Sequence, residues 1–251
     1  MKDYKLSAQA IVMMSGSSAG TQPKYYDNGY WYKTNNNGYE GLSEYLVSLL
    51  LSCSNVDSYV TYEECKVNGR SGCRSKNFLN KSETYISFQR LYDMYKGGNL
   101  TEDIMLYNEV RDRINYVKDF IFEYTEYDIT NYLSQILTLD YVTLNTDRHF
   151  HNLGIIANKD TGEFYAAPVF DNGDALLSNY EMFPLDYDIE ENIERAYSEP
   201  FSSNHGIQAK EAGFGLKIDY DMLNSKLEKE PESRAIKVLK HQLILLKDIL
   251  Y

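Results

Sequence analysis

A chain of 251 residues, 43% of them hydrophobic, is long enough for one large domain or for two lobes sharing a cleft, with a core of its own. Its 25 Lys and Arg against 37 Asp and Glu leave a net charge of −12, which repels phosphate backbones and anionic lipid over most of the surface and sets nucleic acid aside as a partner. The start Met1-Lys2-Asp3-Tyr4-Lys5 has no signal-peptide core, and no apolar run approaches the roughly 18 residues of a membrane span.

In chain order, residues 1–34 alternate apolar stretches with turn residues and predict a small β-meander. It contains a small-residue turn, Ser15-Gly16-Ser17-Ser18-Ala19-Gly20, and Asn28-Gly29 between aromatic runs, a hairpin signal because a tight primed turn needs positive φ. Lys33 falls on the strand after that hairpin. Residues 41–52 change period: Leu42, Tyr45, Leu46, Leu49 and Leu50 mark one helix face, and Glu40, Glu44, Val47 and Leu51 the opposite one. Such a helix is expected to be wedged between a sheet and something cationic. Residues 56–90 read as strands and turns, with Asn68-Gly69 and Asn80-Lys81 as turns, and helical character is expected beyond Gly97-Gly98. Leu133, Ile136, Leu137, Tyr141 and Leu144 form a helix face that ends at the Asp147 segment, and Ile236, Leu239, Leu243, Leu246 and Leu250 form another after Pro231. The acidic run 186–199 reads as a solvated helix face or a docking surface, the former by default. Cys53, Cys65 and Cys73 lack paired spacing and read as reduced thiols, so a cytoplasmic protein is expected, with leaderless secretion as the alternative.

Chemistry concentrates in two segments. Asp147 and Asn152 lie five apart in a polar loop between apolar runs, and Val169-Phe170-Asp171-Asn172-Gly173 is a strand-like run ending in an acid and a glycine turn. Phosphoryl transfer from ATP needs a carboxylate to orient the attacking hydroxyl and oxygen ligands for Mg²⁺. Asp147 fits the base, and Asn152 and Asp171 fit the metal ligands. The small-residue turn, with Ser17, Ser18, Ala19 and Gly20, can bring backbone N–H groups against phosphate, though it is no Walker A loop. Lys33 would hold the α- and β-phosphates and pair with Glu44; Glu40, one turn away, is the alternative partner. Arg148 is left to pair with Asp171 or with a phosphorylated loop. His149 and His151 suggest a metal hydrolase, but only His205 and His241 remain as further histidines, so His149 is expected to hydrogen-bond within the loop.

Ser17-Ser18-Ala19-Gly20-Thr21-Gln22-Pro23-Lys24 resembles the glycine-rich loop of HipA-like serine/threonine kinases. Asn145-Thr146-Asp147-Arg148-His149-Phe150-His151-Asn152 resembles their catalytic loop, and Phe170-Asp171-Asn172-Gly173 their metal-binding turn. The Asp-Arg-His-x-x-Asn pattern is shared with phosphoinositide kinases. The resemblance implies an α+β, two-lobed protein-kinase-like fold: a β-rich N-lobe at 1–95 and a mainly helical C-lobe at 96–251, with ATP and Mg²⁺ in the cleft. It implies a compact, stand-alone form without the extra N-terminal domain of HipA toxins, so an antitoxin partner has no support in the sequence. It further implies transfer to protein Ser or Thr, with autophosphorylation at Ser17, three before Gly20. The competing readings are a phosphoinositide or small-molecule acceptor, and a non-catalytic nucleotide-binding pseudokinase.

Overall fold

The computed structural model describes residues 1–12 and 24–250. The chain begins with β1 (Asp3–Tyr4), a 3-10 turn at Ala8–Ala10 and β2 (Ile11–Val12), followed by β3 (Lys24–Asp27) and β4 (Tyr30–Thr34). Asn28 and Gly29 turn the β3–β4 hairpin at φ 49° and 81°, as their sequence requires. After α1 (Glu40–Leu51) come β5 (Tyr62–Val67) and β6 (Arg70–Lys76), joined at Asn68-Gly69 with φ 51° and 85°. The first sheet has the order β1-β5-β6-β4-β3-β2. The expected meander is therefore only partial: β2, β3 and β4 are antiparallel neighbours, but β1 pairs in parallel with β5 at the far edge.

Helix α1 lies on this sheet because glycines clear the way. A Cβ at Gly72 would come 2.0 Å from the Lys33 carbonyl oxygen, and one at Gly41 would come 2.6 Å from the Gly72 carbonyl carbon. The other side of α1 is covered by helices, so both stripes seen in the sequence meet protein. Leu46, Val47, Leu50 and Leu51 are fully buried, each contributing roughly 1.5–3 kcal/mol, while Leu42, Tyr45 and Leu49 are half-buried.

The remainder comprises β7 (Glu83–Ser87), α2 (Phe88–Tyr95), α3 (Leu100–Ile104), α4 (Val110–Thr125), α5 (Thr130–Thr143), β8 (Gly154–Asn158) and β9 (Phe164–Ala166). It closes with α6 (Ile189–Arg195), α7 (His205–Ala212), α8 (Tyr220–Leu227), α9 (Arg234–Leu245) and α10 (Lys247–Leu250). Helical character begins at Phe88, ahead of Gly97-Gly98, because the Ser87 hydroxyl caps α2 by accepting the Arg90 N–H at 3.2 Å. β7 hydrogen-bonds to β8 in a second, antiparallel sheet β7-β8-β9. The main core joins α1 to α5 and α9, including Leu133, Ile136, Leu137, Ile236, Leu239, Leu243, Leu246 and Leu250. Among the described residues, no helix is long and apolar enough to cross a membrane, and the three cysteines are free and buried.

Candidate active site

Lys33 alternates with buried Tyr32 and Thr34 along β4, so its side chain turns toward α1 and the second sheet. Its Nζ donates to Glu44 Oε1 at 2.5 Å and to Asp171 Oδ1 at 2.5 Å. Burial works against the lysine charge, but Asp171 and Glu44 outweigh it and hold its pKa well above the usual lysine range. Glu44 is 1% exposed, and its other oxygen accepts the Asn172 N–H at 2.8 Å, so one carboxylate fixes both the lysine and the loop that carries Asp171. Of the two candidate partners, Glu44 pairs with Lys33. Glu40 instead accepts the backbone N–H groups of Asn36 and Asn37, at 3.3 Å and 2.7 Å.

Asp171 reaches this position through Val169 and Phe170. The expected strand is a single parallel bridge between Tyr59 and Val169, with the Val60 N–H donating to the Val169 carbonyl at 2.9 Å. Phe170 packs against the small core of Val60, Tyr62 and Cys73. The backbone then turns left-handed at Asp171, φ 59°, a conformation that aspartate tolerates. Burial would raise this carboxyl, but Lys33 and Lys24 hold it well below the usual carboxylate range.

The catalytic-loop segment follows α5, which ends at buried Leu144 with φ 54°. Asn145 Oδ1 accepts the Asp147 N–H at 3.1 Å, and Asn152 Nδ2 donates to the Asp147 carbonyl at 2.9 Å, closing the loop on itself. Arg148, fully buried, decides its own open pairing differently from either expectation. It binds Asp140 through Nε at 3.0 Å and through Nη2 at 3.0 Å, and its remaining donors reach Asn172 Oδ1 at 2.5 Å and the Phe170 carbonyl at 2.9 Å. Arg148 thus fastens the loop of Asp147 to the loop of Asp171 on either side of it, with Asp140 of α5 as its counter-ion. Asp140 was not singled out from the sequence, where it is hidden in Leu139-Asp140-Tyr141-Val142; the signal available was an acid inside an apolar helix face.

The Asp147 side chain is 52% exposed. Partial burial, then the like charges of Asp171 and Glu199, push it up to about 6. Asp174, also missed although it closes the run Asp171-Asn172-Gly173-Asp174, is pushed up to about 6 by burial and by Asp147, Glu40 and Asp171. His149 Nε2 lies 3.7 Å from Asp147 Oδ1, too far for the hydrogen bond expected for it. His205 is buried and bonded to the Asn145 carbonyl at 2.9 Å, and His241 faces Glu190 at 3.9 Å. His149 and His151 have ring centroids 5.5 Å apart, but among the described residues no three His, Cys, Asp or Glu side chains gather as a metal site. Ser17, Ser18, Ala19 and Gly20 lie outside the described residues.

Beside Lys33 and Asp171 opens a cavity of about 150 Å³, walled by Tyr62, Phe78, Leu79, Tyr85 and Phe170. Its wall is overwhelmingly apolar and aromatic, suited to a flat heterocycle with its charged part at Lys33. A magnesium ion held partly by phosphates needs only one or two protein oxygens. The site offers them: Asn152 Oδ1 is buried with no hydrogen-bond partner among the described residues, and Lys33 and Lys24 favour the ionised form of Asp171.

No protein-family model matches the chain, and no curated protein sequence matches it. Among solved structures, the Helicobacter pylori proinflammatory kinase CtkA superposes with a TM-score of 0.65 at 16% identity, over 99% of this chain and 94% of that one. The Shewanella oneidensis MR-1 HipA–HipB toxin–antitoxin complex with operator DNA gives a TM-score of 0.44 at 12% identity, over 98% of this chain and 61% of that one, too distant to carry an argument. Over nearly its whole length the chain therefore has the compact kinase fold seen in CtkA, the fold that its motifs imply.

Proposed function

We propose that the chain is an ATP- and magnesium-dependent kinase that transfers the γ-phosphoryl group to a serine or threonine hydroxyl of a protein. One observation carries the reading. Lys33 and Glu44, from neighbouring elements, and Asp171, 138 residues beyond Lys33, form one ion-paired chain beside an aromatic slot, and the Asp171 charge acts on Asp147. Lys33, fixed by Glu44, would bind the α- and β-phosphates while the base fills the slot. Asn152 Oδ1 and Asp171 would hold magnesium, which when bound neutralises charge on the phosphate oxygens. Asp147 would orient the acceptor hydroxyl and take its proton as the new oxygen–phosphorus bond forms and the β-phosphate oxygen leaves with its electron pair. The two lobes would hinge at 77–82, ahead of the 95–96 division expected from sequence, because β7 bonds to β8 and not to the first sheet.

The acceptor side favours a polypeptide over a phosphoinositide. Glu199 and Asp171 act on Asp147, and Asp147 acts on Asp174, so an anionic headgroup would add charge of the same sign. A polar cleft of about 780 Å³ beside the loop, lined by Arg90, Asp93, Asn99, His149 and His151, gives room for a peptide. Autophosphorylation at Ser17 belongs to the same reading. The test is incubation with labelled ATP, magnesium, a protein mixture and phosphoinositide vesicles. Label in protein supports the reading, label in lipid alone replaces the acceptor, and nucleotide binding without any transfer makes the chain a pseudokinase. Asp147→Asn should abolish transfer while sparing ATP binding; labelling equal to wild type would refute Asp147 as the base.

A further inference from the structure

Along the loop after Asp147, alternate side chains part. Arg148 and Phe150 are buried, whereas His149 and His151 are half-buried and line the polar cleft, their rings edge to face. Each Nδ1 is buried with no hydrogen-bond partner among the described residues. A buried N–H without an acceptor is tolerated less than a bare lone pair, so the ring proton belongs on Nε2, and each imidazole is a donor through that atom. Helix α2 is fastened to the same loop: the Phe88 N–H donates to the Leu153 carbonyl at 2.9 Å, and the Gln89 N–H to the Phe150 carbonyl at 3.2 Å. The Gln89 side chain donates to the Gly98 carbonyl at 3.0 Å and accepts the Leu100 N–H at 3.0 Å, which fixes the segment that also borders the cleft. Arg90, next on α2, is exposed, lines the cleft, and has no ion pair or side-chain hydrogen bond among the described residues. A cation in the first turn opposes the helix dipole, and no acid stands in that turn to offset it. Helix stability therefore does not account for Arg90. Among the described residues Asp93 is the one acid lining the cleft, which Asp147, Asp174 and Glu199 do not line.

We propose that this cleft is a subsite for an acidic residue of the acceptor peptide, in which Arg90 pairs with an aspartate or glutamate side chain of the substrate beside the donor Nε2–H of His151. The inference rests on the reading of the chain as a protein kinase. A planar guanidinium takes a carboxylate through two parallel N–H groups, a geometry that fixes the register of the peptide. His149 lies 3.7 Å from Asp147 and packs on His151, so the subsite begins one side chain away from the proposed base. At ~3.3 Å per residue, an extended peptide with its hydroxyl at Asp147 places the acid about two to four residues from the acceptor. The charge is thereby kept off Asp147. A phosphoinositide, in contrast, carries its phosphates on the same ring as the accepting hydroxyl.

Serine peptides of otherwise neutral sequence test this with labelled ATP and magnesium, with glutamate, alanine or lysine placed in turn at each of about four positions on either side of the serine. At one position, wild-type protein should prefer the glutamate peptide to the alanine peptide by about 5- to 10-fold in kcat/KM, as expected for a charge-assisted contact at a wall open to solvent. Arg90→Ala should bring that ratio to about one, and Arg90→Glu should turn the preference toward lysine. The alanine peptide is the internal reference, so the ratio decides whatever the absolute rates. Should Arg90→Glu fail to fold, the same ratio in Arg90→Gln decides. A wild type without a glutamate preference at any position overturns the proposal, as does a preference that the Arg90 variants leave unmoved. Transfer to proteins of a mixture but to none of the peptides overturns this proposal alone. Transfer to lipid only, or to no acceptor, overturns it together with the protein-kinase reading.

Discussion

Asp140→Leu tests whether the two loops of the site are held by a buried charge pair. In the wild type, Arg148 and Asp140 are both fully buried, and the carboxylate accepts from Nε and Nη2 of the guanidinium and from Asn145 Nδ2 at 3.2 Å. Leucine fills the space but leaves the guanidinium with only Asn172 Oδ1 and the Phe170 carbonyl. Removing one partner of such a pair costs about 3–5 kcal/mol, because the other charge stays buried and uncompensated. Unfolding entropy of about 2.1 cal/mol/K per residue gives roughly 0.5 kcal/mol/K for the whole chain, so Tm should fall by about 6–10 °C. The double variant Asp140→Leu, Arg148→Met removes both charges and should recover part of the loss, leaving Asn172 and Phe170 short of a donor and Asn145 Nδ2 short of an acceptor. Thermal unfolding followed by calorimetry measures both. A Tm for Asp140→Leu within about 2 °C of wild type, or a double variant no more stable than the single one, would refute the account.

The pH dependence has a worked sign. As the proposed base, Asp147 must be ionised to accept a proton, and its pKa in the free protein is pushed up to about 6, so kcat/KM should fall on the acid side with a midpoint near that value. For stability, a raised folded pKa means that the contribution is fully present below the ordinary aspartate value and is lost as pH rises through about 6. Asp174→Asn should therefore raise Tm at about pH 8 and leave it unchanged at about pH 3, and an equal gain at both would contradict the like-charge origin. Asp171 has the opposite sign: its stabilisation is present above the ordinary range and is lost only as acid reaches its depressed value. Lys33→Met removes the ammonium between Glu44 and Asp171 and, if Lys33 is the phosphate-binding donor proposed above, should lower kcat about 10²–10³-fold in a phosphoryl-transfer assay. Gly72→Ala puts a Cβ 2.0 Å from the Lys33 carbonyl oxygen, so β4 must shift; stability should drop by about 1–3 kcal/mol in denaturant titration, and KM for ATP should rise as Lys33 leaves Glu44.

What was legible in the sequence is what local chemistry dictates. Asn28-Gly29 and Asn68-Gly69 announce their turns because positive φ is costly for most residues, and Lys33 and Glu44 are legible as a pair because only a short loop joins the strand of one to the helix of the other. The chain order of Asp147, Asn152 and Asp171 was likewise readable, since each stands in a polar interruption of apolar sequence. What was hidden is long-range. The parallel pairing of β1 with β5 leaves no local mark, and the second face of α1 looks polar until Lys33 of the first sheet and the Asn172 backbone meet Glu44. Asp140 shows the limit most clearly, because burying an aspartate in a helix is unfavourable until Arg148 arrives from eight residues on. The pair then makes sense only with Asn172, whose backbone is also held by Glu44. Two separate charge networks thus meet at consecutive residues: Lys33 and Glu44 fix Asp171 and the Asn172 N–H from the first sheet, while Asp140 and Arg148 fix the Asn172 side chain from the helical side. A change in either network must displace Asp171, which places the mechanical centre of the site at Asp171-Asn172 and not in the loop of Asp147.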